Sequence, residues 1–294
     1  MKRLFISLIT MLATMGASAA ITHQTDNSNQ YTLKNGKVTM VVDAAKGAKI
    51  LSLKYDEQEV ISQLRWPESF GSTFWTSPQK EWYWPPVPEY DKKPYEVVEK
   101  DGVLTMTSEV SEKLKYRLRK QFAVDEQHQA IVITYSIINE SDETRQVAPW
   151  EITRVVNDGG LIFFEAPVDS IKPAGLMNFR ETAGAAWFQP DEAAENRKVN
   201  ADGKGWLAYC NNGLLLIKQF DDLTPSQPAP DEAEIQVYLN RGKTYIELES
   251  QGAYTTLQPK EQLSWTVRWY LLPCDGTAEP SESLLQQVRK ALKK

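Results

Sequence analysis

Near the end of the chain, Tyr245-Ile246-Glu247-Leu248-Glu249 alternates polar and apolar residues. In a strand this sends Ile246 and Leu248 into a core and puts Tyr245, Glu247 and Glu249 on the opposite face. Two carboxylates at i and i+2 on one face stand roughly 7 Å apart, a spacing that suits general acid–base work between them. The alternative is a solvated sheet face, where outward glutamates are ordinary. A second group is Pro149-Trp150-Glu151-Ile152-Thr153-Arg154. Strand geometry puts Trp150 and Arg154 on one face and Glu151 on the other, unless Pro149 introduces a bulge. These charges form either a structural ion pair or part of a polar concave face. Arg117 and Arg119 alternate with apolar residues in Tyr116-Arg117-Leu118-Arg119, and on the same face they would neutralise such acids or bind a sugar acid.

The third candidate is aromatic. Residues 71–91 read GSTFWTSPQKEWYWPPVPEYD, with neither strand nor helix period. Trp75, Trp82 and Trp84 are interleaved with Pro78, Pro85, Pro86 and Pro88. Proline removes backbone freedom, so the rings are held in place before a ligand arrives. A flat apolar ring bordered by polar groups suits the apolar face of a sugar, with Gln79, Lys80 or Glu81 binding its hydroxyls. The competing reading is a satellite core that plugs one end of the fold, since tryptophan is usually mostly buried.

Other chemistries are poorly served. The histidines are His23, in a polar N-terminal stretch, and His128, in a turn. No Gly-x-Ser-x-Gly elbow and no glycine-rich phosphate loop occurs. No Cys or His pair has metal-ligand spacing, so neither metal nor cofactor is expected. Cys210 and Cys274 are candidates for a single disulfide, or remain a buried thiol and a free one. The whole chain has a net charge of −6, and setting aside the two cations Lys2 and Arg3 makes it −8. An acidic surface argues against nucleic acid and anionic membrane as partners.

The elements that must position these residues are strands. Runs such as Val38–Val42, Lys49–Tyr55, Val103–Val110, Leu114–Val124, Ala130–Asn139, Gln146–Val156, Trp206–Cys210, Leu214–Phe220, Ile235–Leu239 and Leu263–Leu272 are separated by short turns such as Lys100-Asp101-Gly102 and Asn211-Asn212-Gly213. Many antiparallel strands joined in this way predict an all-β sandwich or barrel. One helix is expected at the end, capped by Ser281 or Ser283, with Leu284, Leu285, Val288 and Leu292 on its apolar face. Residues 66–94 and 166–205 break the pattern and read as long loops of the kind that bind ligands.

The start of the chain has the form of a secretory signal. A basic tip, Met1-Lys2-Arg3, precedes an apolar run from Leu4 to Gly16, and Ala17-Ser18-Ala19 has the small-x-small cleavage form. The expected organisation is a signal at 1–19, a flexible stretch at 20–30, one domain at 31–273 and a helix at 280–294. The mature protein is expected to be periplasmic or secreted after cleavage near Ala19, with no membrane insertion.

The ordered set of motifs resembles the galactose mutarotase-like, or aldose 1-epimerase-like, superfamily. Asn35-Gly36 precedes Val38–Val42, followed by Gly47-Ala48-Lys49-Ile50-Leu51-Ser52-Leu53 and Ile133–Asn139; near the end Glu247-Leu248-Glu249 precedes Leu257-Gln258-Pro259 and Trp265–Tyr270. The blocks Trp75-Thr76-Ser77-Pro78-Gln79, Trp82-Tyr83-Trp84-Pro85-Pro86 and Pro149-Trp150-Glu151 resemble an exported bacterial branch of that superfamily. The resemblance implies an antiparallel β-supersandwich with its ligand, a carbohydrate, on a concave face. It also implies a histidine acid and a carboxylate base, yet Trp150 and Glu151 stand where the first such histidine would be expected. The expectation is therefore an exported carbohydrate-binding protein, or a sugar-active enzyme: one of epimerase type with non-standard acid and base residues, or a carbohydrate lyase or hydrolase component. Glu249 would be the base and Glu151 or a tyrosine the acid, with Trp75, Gln79, Trp82, Trp84, Arg119, Trp150, Arg154 and Glu247 contacting the ligand.

Overall fold

A computed structural model describes residues 20–23, 29–66, 69–274 and 279–293. The segment read as a secretory signal lies outside the described residues. Two antiparallel sheets pack face to face. The first runs Ala20–His23, Gln30–Asn35, Val38–Asp43, Lys49–Tyr55, Ser72–Ser77, Arg145–Val156, Tyr245–Gln251, Ile235–Leu239, Arg197–Ala201, with Gln58–Glu59 and Thr255–Leu257 added beside it. The second runs Arg180–Thr182, Ala185–Phe188, Leu161–Phe164, Trp206–Asn211, Leu214–Gln219, Gln262–Pro273, Ala130–Asn139, Tyr116–Asp125, Val103–Val110, Glu96–Lys100. This is the expected supersandwich.

The alternation seen in sequence becomes the two faces of each strand. Along Tyr116–Asp125, Tyr116, Leu118, Lys120 and Phe122 are buried, while Arg117, Arg119 and Gln121 lie toward solvent. The inner faces meet in contacts such as the stacked rings of Phe74 and Tyr135, whose centroids are 4.3 Å apart. The interior is not wholly apolar. Lys218 and Glu151, both fully buried, form an ion pair at 2.8 Å between the sheets. Lys120 is also buried, donating to the carbonyls of Gly47 and Ala48 at 2.7 and 3.0 Å.

Some expectations need correction. Ala20–His23 pairs as an edge strand with Tyr31–Lys34, a strand the sequence pattern does not mark. The aperiodic loop 66–94 contains the strand Ser72–Ser77 and the short helix Pro88–Asp91. All six residues of that strand are buried, so both faces are covered and no polar–apolar alternation marks it. The second long loop likewise yields the short strands Arg180–Thr182, Ala185–Phe188 and Arg197–Ala201.

The terminal helix spans Glu282–Leu292, and Ser281 caps it by accepting from the Leu284 N–H. Leu284, Leu285, Val288 and Ala291 are buried, and Arg289 pairs with Glu165. The sulfurs of Cys210 and Cys274 lie 3.1 Å apart. No helix among the described residues is long and apolar enough to cross a membrane.

Candidate functional site

Three adjacent strands of the first sheet build a cleft on its outer face. Their register sets Trp75 opposite Trp150, Ile152 opposite Glu249 and Arg154 opposite Glu247. Trp150 and Arg154 share the outer face, as strand geometry requires, and Pro149 causes no inversion. Ile246 and Leu248 face the core, leaving Glu247 and Glu249 outside. The next strands add Tyr238 and Lys198. The cleft of about 270 Å³ is lined by Trp75, Gln79, Trp84, Trp150, Glu247 and Glu249, together with Ser69, Lys198, Tyr238 and Tyr245.

The polar groups hold one another in place. The Trp150 indole donates to Glu249 Oε2 at 2.8 Å, and Lys198 Nζ reaches the same oxygen at 2.9 Å. The Lys198 ammonium also lies 4.6 Å from the Trp150 ring centroid, a cation–π contact. Arg154 pairs with Glu247 at 2.7 Å, and its guanidinium lies between the rings of Trp75 and Tyr245, at 5.7 and 5.9 Å. Burial pushes the Glu247 carboxyl above its ordinary range, with Arg154 pulling it back. Burial likewise raises Glu232, which accepts from the Gln79 N–H at 3.4 Å and from Gln236 at 3.0 Å.

The aromatic segment splits into two roles. Trp75 and Trp82 are buried, their indoles donating to Asp91 Oδ1 at 3.0 Å and to the Thr76 carbonyl at 2.9 Å. Trp82 packs on Trp75 and Trp150 from behind, with centroids 5.4 and 6.3 Å away. Trp84 is 53% exposed and stands edge-on to Trp75 at 6.2 Å, forming a free wall of the cleft. The loop therefore both closes the core and overhangs the face.

Of the residues singled out in the sequence, Trp75, Gln79, Trp84, Trp150, Glu247 and Glu249 come together in the cleft. Arg154 supports it from the adjacent register position. Trp82 is a packing residue behind the wall. Glu151 points the other way: Tyr135 and Ser250 donate to it at 3.0 and 3.2 Å and Lys218 neutralises it, so it has no access to the cleft. Arg119 lies on the far side of the second sheet. Sequence reasoning missed Lys198 and Tyr238. Lys198 fell within a segment flagged as a long loop, where no alternation marked its strand. No histidine lines the cleft; His128 sits in a hairpin turn, bonded to Asp125 at 2.8 Å. Among the described residues no cluster of three or more His, Cys, Asp or Glu is placed to hold a metal.

No protein-family model matches the sequence, and no curated protein matches it. Solved structures do match in fold. A galactose mutarotase-like protein from Lactobacillus casei superposes with TM-score 0.58 at 12% identity, covering 83% of this chain and 100% of that one. A galactose 1-epimerase from Lactobacillus acidophilus gives TM-score 0.53 at 12% identity, covering 88% of this chain and 99% of that one. A galactose mutarotase-like protein from Clostridium acetobutylicum gives 0.56 at 9%, covering 87% and 98%. The chain has the galactose mutarotase-like fold.

Proposed function

We propose that this is an exported carbohydrate-binding protein that holds an aldose, or the terminal unit of a glycan, in the cleft on its first sheet. The observation that carries the reading is the pairing of an exposed indole wall, Trp84, with two fixed carboxylates, Glu247 and Glu249, in one small cleft. Carboxylates already bound to Arg154 and Lys198 keep lone pairs for sugar hydroxyls, and the ring faces suit axial C–H groups. A volume of about 270 Å³ holds roughly nine waters, which is space for one sugar ring rather than a chain. The fold supports the reading in general terms, since structures named as epimerases and mutarotases share it. Titration of tryptophan fluorescence with aldoses tests it: a saturable change is expected in the wild type, strongly weakened in W84A. No response to any of a broad sugar panel by folded protein would sink the idea.

A second reading is an isomerase of aldose 1-epimerase type. It is favoured by two carboxyls in one cleft: burial raises the Glu247 carboxyl above its ordinary range, and Glu249 accepts from the Trp150 indole N–H and pairs with Lys198. Glu249 is then the base and Glu247 the acid in opening the hemiacetal ring. Polarimetry of freshly dissolved aldoses decides between the readings. An enzyme accelerates mutarotation and loses that in E249Q; a binding protein leaves the rate at its uncatalysed value.

A further inference from the structure

Beside the cleft, on the other side of the segment Ser69–Phe70, lies a second and larger cavity of about 540 Å³. Ser69 lines the first cleft and Phe70 lines this one, and Arg154 Nη1 donates to the Phe70 carbonyl at 3.4 Å. The two cavities are thus neighbours on one face, divided by a thin wall.

Its charge is opposite to that of the molecule. The chain carries −6, yet among the described residues the ionisable lining of this cavity is Lys46, Lys49, Arg65, Lys92 and Asp91. Asp91 is buried and already bridged to Lys49 at 2.7 Å. Arg65, which is exposed, donates to the carbonyls of Ser62 and Leu64 and to Gln63, and pairs with no carboxylate among the described residues. Lys46 has only a long, 4.0 Å approach to Asp43. The cavity also has an aromatic wall. Trp66 is 44% exposed, and Phe70 carries two cations, Lys49 at 4.6 Å and Arg65 at 5.4 Å from its centroid. Large exposed apolar side chains are few among the described residues, so an exposed tryptophan within a basic hollow is an unusual use of surface.

We infer that this cavity is a second binding site, for a ring-bearing anion of the uronate or sulfated-sugar class, with Trp66 stacking on the ring and Arg65 and Lys46 binding the carboxylate or sulfate. An apolar ring face needs an aromatic wall, and an exposed monoanion needs cations not already committed to carboxylates. The guanidinium of Arg65 presents the forked donors that fit a carboxylate or sulfate edge. The choice of a sugar ring rests on the carbohydrate reading of the neighbouring cleft; the anion preference stands on Arg65 and Lys46.

The test is a titration of the indole N–H resonances of 15N-labelled protein, with Trp66 and Trp84 assigned from W66F and W84F. Galacturonate is expected to shift the Trp66 resonance saturably, galactose to shift it at least tenfold less at equal concentration, and added salt to weaken the response. R65A and K46A, both surface changes, are expected to reduce the response several-fold while the other indole resonances keep their wild-type positions. An equal response to galactose would overturn the anion preference. A response to inorganic sulfate as strong as to galacturonate would overturn the ring, and no saturable shift with any of the three would overturn the site. The Trp84 resonance reports the first cleft separately. Silence there during a galactose titration counts against the carbohydrate reading of that cleft, whatever Trp66 does.

Discussion

Lys120 offers a quantitative check on the interior of this sandwich. It sits between the sheets, and burial, reinforced by the nearby Lys49, lowers its amine from 10.5 to about 7. The sign follows from where each state holds its proton. Below about pH 7 both folded and unfolded chains bind it, and the fold carries the whole cost of a buried ammonium. Above about pH 10.5 neither does, and the cost is gone. In between, the unfolded chain binds more protons, so stability climbs with pH by up to about 1.4 kcal/mol per unit. Across the full window that is on the order of 5 kcal/mol, a large share of a typical domain's stability. The K120M variant removes the titration while filling similar space. It also strips the Gly47 and Ala48 carbonyls of a donor, a cost of about 1 kcal/mol each that does not vary with pH. Urea midpoints measured at steps between about pH 7.5 and 9.5 are therefore expected to rise in the wild type relative to K120M by about 2–3 kcal/mol. Glu234, which burial raises to about 7, acts with the opposite sign but at lower pH, and is common to both proteins. If the two stability profiles run parallel over the window, Lys120 is not the buried, proton-releasing group described above, and the reasoning fails.

Other expectations concern the walls and staples of the structure. W82A should destabilise the protein by about 3–5 kcal/mol in urea unfolding, because a buried ring leaves a cavity behind Trp75 and Trp150, whereas W84A should leave the midpoint within about 0.5 kcal/mol. K218M should cost about 3–5 kcal/mol by removing the buried cation that pairs with Glu151 between the sheets, and the double variant E151L/K218M should recover most of it; a double variant as unstable as the single would contradict the pairing. Cys210 and Cys274, with sulfurs 3.1 Å apart and the Cys274 N–H bonded to the Gly213 carbonyl at 2.8 Å, should both cease to react with a thiol reagent after exposure to oxidised glutathione, without dimers forming. Thiol titration with size-exclusion chromatography checks this, and dimer formation or two persistent thiols would count against it.

Much of this architecture was legible in the residues because two-residue alternation is a local signal. Lys49–Tyr55 was read with the bounds it has, and the sides of Trp150, Glu151, Glu247 and Glu249 followed from parity alone. What parity does not reveal is which side of a sheet becomes the interior when both sides carry charge. Glu151 looked like a site residue because its partner, Lys218, lies in an apolar run 67 positions later and shows its purpose only once the second sheet is laid over the first. Ser72–Ser77 escaped notice for the opposite reason: covered on both faces, it has no pattern to read. Lys198 was invisible because its short strand falls in a stretch that reads as a loop, while Tyr238 lies in the strand Ile235–Leu239, whose bounds are legible but whose neighbours across the sheet are not. The aromatic segment stands out in the sequence for its lack of period, but the division between Trp82 as packing and Trp84 as surface depends on the chain's path over the sheet.

The register of Arg145–Val156 against Tyr245–Gln251 has a consequence for how this protein tolerates insertions. Side chains on a strand alternate, so a slip of one residue exchanges the two faces. Here the exchange would not merely bury polar atoms. It would swing Trp150 and Arg154 between the sheets, eject Glu151 into the cleft, and strand Lys218 alone in the interior. Paired and slipped arrangements thus differ by two misplaced charges and a misplaced indole, and the buried ion pair acts as a parity lock on the cleft. Insertions of one residue in the turns flanking this strand should be absorbed by the turns themselves, and any that shift the strand should be lethal to the fold rather than merely harmful to binding.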